Sequence, residues 1–527
     1  MNVPVTTTAA SDVANPRPEA WKRSSVRDNL IANLGGKGLS VLISLICVPI
    51  YIRVLGIAGY GLIGVWTTLE TIANVIDLGL SPTITREMAA CSTRTGGAQD
   101  ARDLVRTLEA AYWVIGVVLG GIVIACASPI SLHWLRTNQL PPDTLRMAIV
   151  LIGVLIACRW PITFYVGGLT GLERQVVLSA VSTTYAYLRS LGSVFILLFV
   201  SRTIFAFFAF QIVINLVQTV VLTILLWRCL PSGRTPRVRP ELIRRIWRFA
   251  GGATAISLVG LIVSELDKIV VSAMVPLERF GYYALGSRVA ASLGVISLPL
   301  FAALFPAFSR QVAAGNEHKL TELYHRGAQL MSALAVPTAL TVIFFARPII
   351  FAWTGKPSVA NNTSLIAALL TAGSAVNCLL NIPYALQLSY GWTRLAFWSN
   401  VFALCLNVPL LLTFTKFWGG EGAASVWLIV NLSYLLTDVA PMHRRILKSE
   451  GKSWLLKDVC IPLITCLAAA LILADRLTWS GTRVTAGASA AIAATILITI
   501  ALIATPLTRV QMRELLARKG SSAALST

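Results

Sequence analysis

Long apolar stretches fix what this chain can be before any motif is read. Crossing a bilayer as a helix takes about 20 mostly apolar residues. Fourteen such stretches run through the sequence, at 30–55, 60–82, 107–128, 147–167, 175–200, 203–227, 248–275, 281–305, 328–346, 364–389, 395–415, 421–441, 456–474 and 484–506. Hydrophobic residues make up 56% of the chain and charged ones 13%, too few to clothe a water-exposed fold. Within hydrocarbon each backbone donor and acceptor must be satisfied inside its own segment, which makes these stretches helices. The sequence predicts an all-α polytopic membrane protein of about 14 transmembrane helices.

Charge distribution orients the bundle. A formal net charge of +21 would by itself suit a nucleic-acid binder. With the amino terminus inside, however, 29 of the 44 Lys and Arg fall in inside segments or at their edges, 10 in outside segments and five within spans. That asymmetry is the positive-inside pattern, so no nucleic-acid partner is expected, and an even span count puts both termini in the cytoplasm. Residues 1–29, rich in Thr, Ala, Ser and Pro, read as a disordered cytoplasmic tail without a signal-peptide cleavage pattern. Residues 507–527 read as a cytoplasmic tail and 229–247 as a basic cytoplasmic linker.

The loops are short, which argues against a membrane enzyme acting on glycans at the outer face. Nine scattered cysteines lack any CxxC spacing. The four histidines, His133, His318, His325 and His443, lie at loops or span ends, and His318 and His325 read as solvated loop residues. No metal site, cofactor or nucleophile constellation is expected, and the lack of a Gly-rich phosphate loop argues against direct ATP coupling.

An internal repeat is visible. Gly35-Gly36 parallels Gly251-Gly252, Tyr60-Gly61 parallels Phe280-Gly281, and SPTITREMAA (81–90) parallels FPAFSRQVAA (305–314) in the same order at similar spacing. Six spans separate the copies, so both halves start on the same side, as parallel repeats. Transporters built this way carry their pathway between the halves. The expected organisation is an N-lobe over 30–228, a C-lobe over 248–441 and two extra helices within 442–506.

Several spans carry polar groups on one face at helical spacing. Ser257, Gly260, Ser264, Glu265, Asp267, Lys268 and Ser272 share an arc of roughly 160° in the seventh span. Asn33, Lys37, Ser40 and Ser44 align in the first span, and Thr67, Glu70, Asn74, Asp77 and Ser81 in the second. Arg159, Arg189 and Arg288 add isolated cations. A charge at the bilayer centre costs about 2.5–3.5 kcal/mol on insertion scales, so these groups are expected to face a cavity. Glu265 and Lys268 stand at i,i+3, where they can pair. Pro49, Pro161, Pro299, Pro383 and Pro409 fall inside spans and predict kinks or breaks.

LGIAGYG (55–61), VIDLGLSPTITREMA (75–89), GLTGLERQ (168–175), DKIVVSAMVPLERFGYYAL (267–285) and FPAFSR (305–310) together resemble the Wzx-type bacterial polysaccharide flippases. Their superfamily also holds the multidrug and toxic-compound extruders and the lipid II flippase. The resemblance covers roughly 28–450. It implies two six-helix lobes plus two helices in the bacterial inner membrane, with alternating access. The implied cargo is an oligosaccharide linked to undecaprenyl diphosphate, delivered toward a polysaccharide polymerase and chain-length regulator. Lys37, Arg159, Arg189, Lys268 and Arg288 are then the candidate cargo-binding cations. Glu70, Asp77, Glu265 and Asp267 are the candidate ion-coupling acids, with Glu70 open to two readings: an ion acceptor, or a salt bridge to Lys37 or Arg159. An exporter of small cationic drugs and a membrane glycan polymerase or ligase are the alternatives.

Overall fold

The computed structural model describes residues 26–77, 80–91, 97–137, 139–241, 262–479 and 481–505, with the side chains of all of these except 26–39, Val41, Val75 and Ile76. Residues 1–25, the carboxy-terminal tail, Gly251-Gly252, Ser257 and Gly260 lie outside the described residues, as do the side chains of Asn33 and Lys37, whereas 26–29, expected to belong to a disordered tail, are helical. Among the described residues every element is helical. The N-lobe contains α1 (Val26–Ile76), α2 (Leu80–Cys91), α3 (Gly97–Ala125), α4 (Pro142–Arg159), α5 (Pro161–Gly171), α6 (Gln175–Phe195) and α7 (Ile204–Cys229). In the C-lobe are α8 (262–274), α9 (Leu277–Ala290), α10 (Gly294–Ala313), α11 (Glu317–Thr354), α12 (Pro357–Ser389) and α13 (Thr393–Tyr434), followed by α14 (Ile461–Arg476) and α15 (Arg483–Ala504).

Eleven helical stretches among the described residues are long and apolar enough to cross a membrane. Two of them hold more than one expected span. At 51 residues α1 would be about 76 Å long if straight, against a hydrocarbon core of about 30 Å. Its backbone breaks at Gly56 (φ 75°, ψ 175°), in the left-handed region that glycine enters without a Cβ penalty. A second break comes at Gly419 (φ 59°, ψ −134°) in the 42-residue α13. Both glycines sit where the sequence places the turn between paired spans.

Proline has two roles. Pro49, Pro299, Pro383 and Pro409 stay within helices. Pro161 instead ends α4 and opens α5, because its ring fixes φ and supplies no N–H, which suits a first helical position. This break leaves Arg159 as the last residue of α4, where a cation meets the negative end of the helix dipole.

The last two helices pack on α11. Val336 and Leu340 meet Cys466, Ala470, Leu497 and Ala501 in one buried cluster, and the Arg483 guanidinium donates to the carbonyls of Ala352 and Trp353. At the other end of α11, His325 departs from the solvated loop reading. Its Nδ1 is 2.5 Å from Asp458 Oδ2 and its Nε2 is 3.0 Å from Glu450 Oε2. The linker from Cys229 is described to Glu241 and lies along α3: the backbone N–H of Arg237 donates to Asp103 Oδ1, and the Arg239 guanidinium pairs with Asp103 Oδ2 at 2.6 Å.

Candidate functional site

A cavity of about 480 Å³ lies between the lobes, lined by α1, α4, α6 and α7 on one side and α8 and α9 on the other. It gathers six of the nine predicted charged residues: Glu70, Arg159, Arg189, Glu265, Lys268 and Arg288. Lys37 belongs to the part of α1 whose side chains lie outside the described residues.

The six charges divide into pairs and singles. Arg159 Nε sits 2.6 Å from Glu70 Oε1, the second of the two readings open for that acid, and its guanidinium lies 6.0 Å from the Trp66 ring centroid. Lys268 Nζ is 2.7 Å from Glu265 Oε2 within one turn of α8. Each of these cations is compensated by an acid. Arg189 and Arg288 have no carboxylate within ion-pair distance among the described residues. Arg189 donates to the amide oxygens of Gln218 (2.7 Å) and Asn215 (3.3 Å). Arg288 donates to the hydroxyl of Ser44 at 2.6 Å, across from the C-lobe to α1.

Asp77 and Asp267 stand apart from the cavity. The Tyr112 hydroxyl donates to Asp77 Oδ1 at 2.5 Å, with the Ser81 N–H on Oδ2. Tyr283 donates to Asp267 Oδ2 at 2.5 Å. Both acids are buried. The polar arc of α8 is therefore split: Glu265 and Lys268 line the cavity while Asp267 points into the packing of the C-lobe.

One end of the cavity is closed by the repeat itself. At Gly61 a Cβ would stand 2.6 Å from the Leu277 carbonyl oxygen, and at Gly281 a Cβ would stand 2.4 Å from the Ile57 carbonyl oxygen. The residue offset that carries Gly61 to Gly281 also carries Ile57 to Leu277, so the two contacts are reciprocal, as at a two-fold interface. The segment after α3 reinforces this end: Trp134 Nε1 donates to Ser272 Oγ (3.1 Å), the Leu277 N–H to Arg136 O (2.7 Å) and Thr137 Oγ1 to Glu278 Oε1 (2.5 Å). Lys356 adds a bond to Ile52 O at 3.1 Å.

A second cavity of about 290 Å³ lies within the C-lobe, lined among others by Ser264, Asn377, Asn381, Tyr384, Tyr434 and Asp438. The sequence reading passed over Asp438, which falls close to the end of a span. It also passed over Gln211, Asn215 and Gln218, whose four-then-three spacing in an otherwise apolar span was the available signal.

Two helical lobes that share a charged cavity and close over one end of it define a membrane transporter. Comparison with known proteins narrows the class. A family model described as "Polysaccharide biosynthesis protein" matches residues 26–312, and a second, MatE, matches 254–413. A Shigella flexneri protein named "Putative O-antigen transporter" is 20% identical over 406 residues, covering 77% of this chain and 94% of that protein. Among solved structures, the lipid II flippase MurJ in an inward closed conformation superposes with a TM-score of 0.69 at 12% identity, covering 91% of this chain and 99% of that one. An inward-facing multidrug resistance transporter of the MATE family superposes at 0.57 with 15% identity, covering 78% and 96%. The chain belongs to the polysaccharide biosynthesis protein family, as a Wzx-type member of the multidrug/oligosaccharidyl-lipid/polysaccharide exporter superfamily. It is a transporter, not an enzyme.

Proposed function

We propose that the protein flips an oligosaccharide linked to undecaprenyl diphosphate from the cytoplasmic to the outer leaflet of the bacterial inner membrane, for assembly of a surface polysaccharide. The observation that carries this reading is the pair of arginines, Arg189 on the N-lobe wall and Arg288 on the C-lobe wall, that face one cavity without a carboxylate partner among the described residues. A diphosphate diester brings two negative charges, and guanidinium forks suit its oxygens. Among the described residues Glu70 and Glu265 balance Arg159 and Lys268, and the two remaining positive charges match the diphosphate. The glycan is then free to be neutral.

Each lobe contributes one arginine, so a bound diphosphate draws the walls together, which favours a change of access only when cargo is present. The two carboxylates that line the cavity, Glu70 and Glu265, are the positions we assign to ion coupling. Asp77 and Asp267, engaged by tyrosines, we assign to holding the lobes in shape. Transfer to a polymerase and its chain-length regulator would follow on the outer side.

The test is the leaflet distribution of the lipid-linked oligosaccharide in cells carrying Arg189→Ala together with Arg288→Ala at normal protein level. Cargo trapped on the cytoplasmic leaflet, with loss of surface polymer, is the expected result. Normal delivery would end the reading. The MatE match over 254–413 favours a second one, export of small cationic compounds. That reading predicts that the same double variant gains tolerance of cationic dyes.

A further inference from the structure

Arg189 is held in an unusual way for a cation within a membrane bundle. Three amides of α7, Gln211, Asn215 and Gln218, fall on one helix face at steps of four and three. All three are buried, with 4%, 0% and 3% of their surface exposed. Gln218 Oε1 accepts from Arg189 Nη1 at 2.7 Å and Asn215 Oδ1 at 3.3 Å. The Asn215 amide is oriented by its own nitrogen, which donates to the Gln211 carbonyl at 2.7 Å and so turns Oδ1 toward the guanidinium. Gln211 Nε2 donates to Ser193 Oγ at 2.9 Å and reaches the Arg189 carbonyl at 3.5 Å, tying down the turn of α6 that carries the arginine.

A helix-to-helix weld would put an acid opposite the arginine, as Glu70 does for Arg159 2.6 Å away. Amide oxygens instead aim a guanidinium without cancelling its charge. Buried amides in a lipid-embedded bundle are costly unless they are hydrogen-bonded, and here the Gln218 and Asn215 oxygens offset that cost on one cationic side chain that also lines the cavity.

We propose that Gln218 and Asn215, steadied by Gln211, are positioning residues that present Arg189 as an uncompensated cation. By this account Arg189, and not the Glu70-bound Arg159, is the anion-binding group of the N-lobe and sets the preference for a phosphorylated over an uncharged lipid. The inference rests on the anionic cargo proposed above.

The test uses full-length protein in nanodiscs of neutral phosphatidylcholine, with undecaprenyl diphosphate and undecaprenol as the two probes. Wild type is expected to prefer the diphosphate. Gln218→Glu keeps the shape but sets a carboxylate against Arg189, and should cut that preference about tenfold or more, as should Arg189→Gln. Its melting temperature should hold or rise, because an ion pair replaces a hydrogen bond to a neutral amide; a purely structural role for Gln218 would leave the preference untouched. Gln218→Met removes the aim but not the charge and should fall between, and Gln218→Asn, which restores an amide one carbon short, should recover part of the loss. A preference intact in Gln218→Glu but lost in Arg159→Gln overturns the positioning role and leaves the cargo reading standing. A wild type that does not distinguish the probes overturns the cargo reading, and this inference with it.

Discussion

The two lobes are alike where they touch and unlike where they face the cavity. At the closed end Gly61 and Gly281 exchange equivalent contacts with Leu277 and Ile57. Along the cavity the symmetry is gone. The N-lobe holds Arg189 on amides of a neighbouring helix and ties Arg159 to Glu70. In the C-lobe Lys268 is tied to Glu265 within its own helix, Arg288 reaches over to Ser44, and a separate cavity carries Asp438. A duplicated scaffold supplies a matched seam, while the proposed cargo, lipid at one end and glycan at the other, would have no use for matched walls.

The strongest way to break the comparison is at the seam. Gly61→Ala and Gly281→Ala each place a Cβ against a backbone oxygen, which cannot swing aside as a side chain would. Overpacking of this kind costs about 1–3 kcal/mol, and it falls on the closed-end state only. Each variant should shift the balance away from that state roughly 5- to 150-fold, and the double variant further. Disulfide trapping between cysteines introduced for Ile57 and Leu277 would read the shift directly. If the seam is as symmetric as its geometry, the two single variants should behave alike; a large difference between them would break the symmetry.

On the cavity walls the same exchange should not be symmetric. If Arg288 and Arg189 bind the cargo as proposed, loss of either should remove a charge-assisted contact worth about 1.5–3 kcal/mol, or roughly 10- to 150-fold in affinity. Arg159→Gln should act differently, because it leaves Glu70 unpaired in the cavity. Pairing Arg159→Gln with Glu70→Gln removes both partners and should recover most of the lost protein level. A double-mutant cycle on the purified protein would measure the coupling. Additive effects would mean that the 2.6 Å contact contributes nothing to the folded protein.

Much of this arrangement could be read in the sequence, and the places where reading stopped have physical causes. Apolar length gave the spans, and helical spacing gave the Glu265–Lys268 pair, since both depend on local geometry alone. For Glu70 the sequence leaves an ion acceptor and a salt bridge to Lys37 or Arg159 all open, and tertiary packing brings Arg159 to it. The acids Asp77 and Asp267 show the limit. On a helical wheel Asp267 falls at one edge of the polar arc of its span and Glu265 at the other, roughly 160° away. A helix seated between two neighbours divides such an arc, and only tertiary packing decides that Asp267 goes to Tyr283. His325 was misread for a related reason: its partners Glu450 and Asp458 come from a segment more than a hundred residues later, and nothing local announces them.

That histidine supplies a further test, set in a region for which the N-lobe has no counterpart. The start of the final helix pair is bound to α11 through His325, whose two ring nitrogens both lie within hydrogen-bonding distance of carboxylates. Asp458 is fully buried and also accepts from Gln329 Nε2 at 2.8 Å, whereas Glu450 keeps about a quarter of its side chain exposed. Solvent screens the outer contact, so Glu450→Gln should cost no more than about 1 kcal/mol. Asp458→Asn strips a charge from a buried pair and should cost about 3–5 kcal/mol. Thermal unfolding in detergent would rank the two. Equal effects would mean that the docking of the last helices rests on the apolar cluster around Leu340 and Leu497, with the histidine contributing little, and the C-lobe would then differ from the N-lobe in its packing more than in its charges.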